Sequence, residues 1–243
     1  MAAIIDINTF FGPSQRPGVD WSLDELLRLM DRYHVERALT LSLLGVHYDF
    51  VSGNTETLQA CRRHPQLIPV GTVDPRRYID CADEIKRCLD EGVRVFRFFP
   101  DAQGWPVEHR HFIDLCEQIA DARAAIMVAA GNAGWPSRLA QLLGDLPAPV
   151  VLLGVGYGVF SELLAALSHC PSFYCDGQMF DTPGAYELVR DVAGADRVIF
   201  GSGIPERYFA SAYFMVIHSE LTEDERRAVL YRNAARVLLG EGE

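Results

Sequence analysis

The sequence predicts one (β/α)8 barrel, an α/β fold, as a single domain over residues 1–243. Strand-like and helix-like segments alternate along the whole chain, and eight of each can be read. Most strand segments are continuously apolar, which is typical of parallel strands covered on both faces. The length of 243 residues suits one such barrel, and no Pro/Gly/Ser-rich linker divides it. A doubly wound open sheet is the alternative, which the absence of G-x-G-x-x-G after the first strand disfavours.

The first half of the chain contains four predicted strand–helix pairs. Apolar and β-branched residues predict strands over 4–10, 37–43, 68–73 and 93–100. The first helix opens with a capping box at Ser22 and Glu25 and continues at helical spacing to Tyr33. Further helices are predicted over 53–64, over 78–90 with a stop at Gly92, and over 108–122.

The second half repeats the same pattern. Strands are predicted over 124–129, 150–153, from 173 to 175 and over 198–200, and helices over 137–143, 160–168 and 185–193. A second capping box, at Thr222 and Glu225, opens a final helix that extends to about Leu239.

Charge and composition limit the possible partners. The formal net charge is −11, so no basic face is expected for nucleic acid or for an anionic membrane. We expect no secretory leader, no membrane-spanning segment and a cytoplasmic location, because the first residues show no basic region and no apolar run reaches spanning length. The six cysteines form no C-x-x-C motif and are expected to be reduced and mostly buried.

Lysine is nearly absent from the chain. Lys86 is the only lysine and lies in the middle of a predicted helix. Schiff-base chemistry and a carboxylated-lysine metal bridge both need a lysine amine inside the site, so both are disfavoured.

The two ends of the chain resemble the amidohydrolase-related TIM-barrel family. The segment 4–12, IIDINTFFG, is similar to the family's first strand, D-x-H-x-H-x-G, but Asn8 and Phe10 stand where the family has two metal-binding histidines. The segment 197–205, RVIFGSGIP, is similar to its last strand, R-x-x-F-G-S-D-x-P, with Gly203 in place of the ligand aspartate.

The resemblance covers essentially the whole chain. Residues 91–100 are similar to the family's mid-barrel G-x-x-G-x-K/R-x-x-P stretch, and residues 221–238 to its closing helix. The family's histidines after the fifth and sixth strands correspond to Ala129 and Gly154. The resemblance therefore implies an amidohydrolase-like barrel that has lost its metal ligands. Because a catalytic zinc needs about three protein ligands, we expect no metal and no other cofactor.

Sites in such barrels lie at the C-terminal ends of the strands, and several polar residues are predicted there. The candidate catalytic residues are Asp176, Asp74 and Cys175. The candidate substrate-binding residues are Arg97, Asn8, Tyr157, Ser202 and Arg207. Cys175 is either a nucleophile or a buried structural thiol. Tyr157 lies in a glycine-rich segment, 154–158, which forms either a phosphate-binding turn or a plain tight turn.

Arg97 is the most informative of these residues, since it interrupts an apolar strand. Period-two alternation places Val95, Arg97 and Phe99 on one side, which we expect to be the lumen. A buried guanidinium needs a partner, and the alternatives are an ion pair with Asp6, Asp74 or Asp176 and an anionic ligand.

Two functions follow from these observations. The first is a non-catalytic binding or partner subunit, which acts beside a related enzyme subunit and takes a small-molecule ligand. The second is a metal-independent hydrolase or decarboxylase, acting on a small carboxylated or cyclic substrate at the barrel mouth. Metal ligands supplied by another chain are a third possibility. The family resemblance also implies a homo-oligomer, most simply a dimer.

Overall fold

The structure is a computed structural model that describes residues 3–14 and 17–242. Its strands are β1 (Ile5–Phe11), β2 (Arg37–Ser42), β3 (Leu67–Pro69), β4 (Val95–Phe98), β5 (Ala125–Ala129), β6 (Val150–Leu153), β7 (Phe173–Asp176) and β8 (Val198–Ile199). All neighbouring strands are parallel, in the sheet orders β1-β2-β3 and β4-β5-β6-β7-β8.

Backbone hydrogen bonds join these two sheets into a closed barrel. At the β3–β4 edge, Gly71 N donates to Val95 O (2.9 Å) and Arg97 N donates to Gly71 O (2.8 Å). At the β8–β1 edge, Ile7 N donates to Phe200 O (3.0 Å) and Gly203 N donates to Asn8 O (2.8 Å). The predicted (β/α)8 TIM barrel is thereby confirmed.

The helices cover the outside of the barrel. They are α1 (Leu23–Tyr33), α2 (Leu44–His47), α3 (Phe50–Arg63), α4 (Tyr78–Asp90), α5 (Pro100–Gln103), α6 (Arg110–Asp121), α7 (Trp135–Leu143), α8 (Phe160–His169), α9 (Ala185–Ala193), α10 (Phe209–Ile217), α11 (Glu223–Arg227) and α12 (Asn233–Leu239). None of the helices in residues 3–14 and 17–242 is long and apolar enough to cross a bilayer.

The predicted helix starts hold to different degrees. At Thr222 both halves of the capping box form. At Ser22 only one half forms, because the Glu25 carboxylate binds Arg28 instead of returning to the cap. Helix α3 begins at Phe50, three residues before its predicted start, since the Asp49 carboxylate accepts from Ser52 N and caps it.

Two apolar layers surround the strands. The inner layer fills the lumen and includes Val95 and Phe99 of the β4 segment. The outer layer lies between strands and helices and includes Phe96 and Phe98. The alternation predicted for this strand is therefore correct, and Arg97, which is only 7% exposed, lies on the lumen side.

Candidate active site at the barrel mouth

A cavity of about 340 Å³ opens at the C-terminal end of the barrel. The residues around it come from the ends of β1, β4 and β5, from α2 and α5, and from the segment after β8. They are Phe10, Ser14, Trp21, Leu43, Val46, His47, Arg97, Phe99, Asp101, Ala102, Ala129 and Glu206. We call this space the mouth cavity. Its size is at the lower end of the range for small-molecule sites.

Arg97 is the buried cation of the mouth cavity. Its Nη1 donates to Asn8 Oδ1 at 2.7 Å, and its guanidinium carbon lies 4.5 Å and 4.7 Å from the ring centroids of Phe10 and Phe99. Burial lowers the pKa of Arg97 to about 10, an effect that the field of Asp176 opposes. Arg97 is therefore still protonated at neutral pH.

The Arg97 guanidinium has N–H donors that form no hydrogen bond in the described chain. Its Nε is buried and has no hydrogen-bond partner, and Arg97 forms no ion pair with a carboxylate in the described chain. The ion pair expected with Asp6, Asp74 or Asp176 is thus replaced by a neutral partner, the Asn8 amide, and by two aromatic faces. Because Nη1 is occupied and Nε is buried, Nη2 is the nitrogen available to a ligand carboxylate.

The rim of the cavity is polar. His47, Asp101 and Glu206 line it, opposite the aromatic walls of Phe10 and Phe99. Partial burial lowers the pKa of His47 below its ordinary value, while Glu206 opposes that shift. The imidazole is accordingly neutral at pH 7 and able to accept a proton.

Beneath Arg97, a hydrogen-bonded network replaces the family's metal ligands. Asn8 Nδ2 donates to Asp176 Oδ2 (3.0 Å) and to Gln178 Oε1 (2.9 Å). Gly154 N donates to the other oxygen of Asp176 at 2.8 Å. Asn8 and Gly154, two of the five positions that correspond to metal ligands in the family, thus hold the Asp176 carboxylate.

The backbone conformation and the surroundings of Gly203 explain why glycine occupies the position of the family's last metal ligand. Its φ is +78°, in the left-handed region that favours glycine. A Cβ added there would lie 2.0 Å from Gln178 Nε2. The Gln178 side chain therefore occupies the space that an aspartate at position 203 would need.

Asp6 forms a second buried carboxylate site. It accepts from Asn8 N (3.0 Å), from Ser202 N (3.0 Å) and from the Ser202 hydroxyl. Burial, with a contribution from Asp176, raises the pKa of Asp6 to about 7. Burial also raises the pKa of Asp176 to about 6, partly offset by its hydrogen bonds to Gly154 and Asn8.

The residues present do not fit the metal that the resemblance implies. Asn8, Phe10, Ala129, Gly154 and Gly203 supply no imidazole, thiolate or carboxylate, and both donor and acceptor sides of the Asn8 amide are already used. No group of three or more His, Cys, Asp or Glu in residues 3–14 and 17–242 is arranged to hold a metal ion.

The structure places the sequence candidates in different positions relative to the mouth cavity. Arg97 lines the mouth cavity, and Asn8 and Asp176 lie beneath it and are buried. Ser202 is fully buried and its hydroxyl is committed to Asp6, so it is not placed to bind a ligand. Arg207 is exposed, and its charge partly offsets the rise in the pKa of Asp176. It does not line the cavity.

The remaining candidates lie away from the mouth. Cys175 belongs to the outer apolar layer, where its Sγ contacts Arg197 O at 3.8 Å and burial raises its pKa well above the ordinary value. It is therefore a structural thiol. Asp74 is paired with Arg76 at 2.7 Å, outside the cavity. Tyr157 is 75% exposed and its backbone N donates to Asp181, which makes the glycine-rich segment a turn.

Gln178 is the residue that sequence reasoning missed. It lies two residues beyond the end of β7, at a strand end of the kind already searched, and its polarity was the available signal. Trp21 gave no such signal, since it precedes a helix rather than following a strand.

Comparisons with known proteins agree with this architecture. The amidohydrolase family model matches residues 51–239. A 2,6-dihydroxybenzoate decarboxylase from Rhizobium has a similar structure, with a TM-score of 0.76, 13% identity and 100% coverage of both chains. The 5-carboxyvanillate decarboxylase from Sphingomonas paucimobilis gives 0.79 at 15% identity, covering 98% of this chain and 99% of that one.

A putative 2-pyrone-4,6-dicarboxylic acid hydrolase from Pseudomonas putida is also similar, with a TM-score of 0.73, 19% identity and 100% coverage of both chains. Among curated proteins, none matches the sequence. The structural neighbours support the fold, and the family match spans most of the sequence. On these grounds the chain belongs to the amidohydrolase family.

Proposed function

We propose that this barrel binds a small planar carboxylate in the mouth cavity, without a metal. The observation that carries the proposal is the buried Arg97 guanidinium, which is charged, lines a cavity and has no carboxylate partner in the described chain. A buried cation of this kind is stabilised by an anion that enters from solvent. The ligand carboxylate accepts a hydrogen bond from Nη2 of Arg97.

The shape of the cavity favours a flat ligand body. Phe10 and Phe99 lie on Arg97 and against each other, with ring centroids 6.3 Å apart. A volume of about 340 Å³ accommodates one substituted ring, and the polar rim suits hydrogen-bonding substituents at its far end. The named ligands of the neighbours, a dihydroxybenzoate, a carboxyvanillate and a pyrone dicarboxylate, are ligands of that class.

The network beneath the cavity favours binding over catalysis. Asp176 is fully buried, and Asn8 and Gly154 already occupy its oxygens, so it does not reach a ligand on Arg97. We therefore assign Asp176 the role of fixing Asn8, which in turn positions Arg97. A role beside a related enzyme subunit, and assembly as a homo-oligomer, remain predictions from the sequence.

Calorimetric titration tests the proposal. Benzoate and 2,6-dihydroxybenzoate are expected to bind saturably, whereas benzamide, which has the same shape without the charge, is expected to bind at least tenfold more weakly. Arg97→Met removes the binding, and Arg110→Met, a change at an exposed helix arginine, leaves it intact. Equal binding of benzoate and benzamide would contradict the proposal.

A metal-independent hydrolase is the second candidate, and His47 favours it. A neutral imidazole on the rim of the cavity is placed to take a proton from water that attacks a carbonyl carbon of a bound lactone or ester. The water oxygen bonds to that carbon, its proton moves to His47, and the ring oxygen leaves and is reprotonated. The test is hydrolysis of an aryl lactone by the parent protein and by His47→Gln. Activity that is lost in His47→Gln while ligand affinity is retained would support the hydrolase hypothesis.

A further inference from the structure

A second cavity lies at the opposite end of the barrel, where the strands begin. Its volume is about 490 Å³, and we call it the basal cavity. The starts of β2, β3, β4 and β5 form one side, and the last residues of α12 form the other. Its apolar lining includes Ile68, Val95, Ala125, Leu238 and Leu239.

Three arginines converge on the basal cavity. Arg37 begins β2, Arg94 precedes β4, and Arg123 precedes β5. The last two are neighbours, because Ala125 N donates to Arg94 O at 2.8 Å where β4 and β5 pair. Three arginines around one cavity are unusual in a chain whose net charge is −11. Most of the arginines in the described chain form a salt bridge with a carboxylate.

Two of the three arginines lack a carboxylate partner among residues 3–14 and 17–242. Arg94 Nη1 donates to two backbone carbonyls, Leu89 O (2.9 Å) and Val93 O (2.8 Å), which leaves its Nε–Nη2 edge without a described partner. The backbone N of Arg123 donates to Ala120 O at 2.8 Å, but its guanidinium has no described hydrogen bond or ion pair. Within the part of the chain that the structure describes, two positive charges at this cavity thus have no carboxylate to compensate them.

Arg37 completes the cluster and is held differently. Its Nη1 and Nη2 donate to the two oxygens of Glu241, at 2.5 Å and 2.8 Å. Its Nε is buried without a hydrogen-bond partner in the described chain. Glu241 therefore neutralises one guanidinium of the cluster and competes with any anion for it.

We propose that the basal cavity binds a phosphate monoester with a small apolar body. A phosphate monoester carries close to two negative charges at neutral pH, which matches the two uncompensated guanidiniums. Arginine forks bind phosphate oxygens in a bidentate manner. The apolar starts of β3, β4 and β5, together with Leu239, receive the organic part of the ligand. This site is independent of the carboxylate proposed for the mouth.

Phenyl phosphate is the probe for the test, measured by isothermal titration calorimetry at constant ionic strength. The measurements use full-length Arg97→Met protein, so that the mouth cavity does not contribute. Saturable binding is expected, with inorganic phosphate several-fold weaker because it lacks the ring. Arg123→Gln, which breaks no described contact, is expected to weaken the binding of phenyl phosphate at least fivefold.

Matched variants make the result decisive. Arg110→Gln removes the same charge on exposed helix α6 and is expected to leave the affinity unchanged. Glu241→Gln removes the carboxylate that neutralises Arg37, which keeps its hydrogen bond to the Tyr231 hydroxyl, and is expected to tighten binding several-fold. Absence of saturable binding, or an affinity that Arg123→Gln and Arg110→Gln change equally, would overturn the proposal.

Discussion

Replacing Arg97 with methionine separates a structural role of this residue from a binding role. The guanidinium costs stability because burial lowers its pKa from the ordinary arginine value to about 10. At about 1.4 kcal/mol per pKa unit, that cost is about 3–4 kcal/mol at neutral pH. The sign follows from linkage. A base whose pKa is lower in the folded state than in the unfolded state destabilises the folded state at every pH at which the base is charged in the unfolded chain.

The contacts of Arg97 offset that cost. A hydrogen bond from a charged group, such as the one to Asn8, is worth about 2 kcal/mol, and each desolvated cation–π contact about 1–2 kcal/mol. Methionine recovers about 1 kcal/mol or more through sulfur–aromatic contact with Phe10 and Phe99. The free energy of unfolding of Arg97→Met is therefore expected to lie within about 2 kcal/mol of the parent chain.

Thermal unfolding with and without ligand provides the measurement. For a chain of this size a change of 1 kcal/mol shifts Tm by about 2–4 °C, so Arg97→Met is expected to lower Tm by less than about 8 °C. A benzoate concentration of 100 times Kd stabilises the parent by about 2.7 kcal/mol and is expected to have no effect on the variant. A larger loss of Tm, with the benzoate effect retained, would show that Arg97 is structural.

Three further changes test the hydrogen-bonded network beneath Arg97 and the cavity wall above it. Asp6 and Asp176 have pKa values raised to about 7 and about 6, so they bind more protons in the folded state than in the unfolded state. The free energy of unfolding is therefore expected to decrease as the pH rises from about 4 to about 7. Urea titrations of Asp6→Asn should show a smaller decrease over the same range. Gly203→Asp is expected to cost more than about 2 kcal/mol, because its Cβ meets Gln178 and its φ is positive; an unchanged urea midpoint would refute this. Phe10→His is expected to cost about 1.5–3 kcal/mol and, by elemental analysis, to recruit no stoichiometric metal, a result that tight zinc binding would contradict.

Local patterns were sufficient for most of the barrel. Helices α4 and α9 have the predicted bounds, and β6 does too, because apolar periodicity and terminal glycines act within a few residues. The short helices α2 and α5 were not predicted. Each has only four residues, too few to show a helical period, and both border the mouth cavity.

The lumen-facing position of Arg97 followed from the sequence, since side chains alternate along a strand whatever the rest of the fold does. Its partner did not follow. Asn8, 89 residues away, provides the hydrogen bond, where a carboxylate was the expectation. The choice depends on how β1 and β4 face each other across the lumen, which no local pattern encodes.

The sequence by itself determined the fold family and the absence of metal donors at five positions, because both depend on residue identities at known strand ends. Only the tertiary structure decided what replaced those donors. Gln178 meets Asn8 across 170 residues of chain, and Cys175 points outward while its neighbour Asp176 points into the lumen. These contacts arise from barrel closure, which brings distant strand ends within hydrogen-bonding distance and assigns alternate side chains to opposite faces.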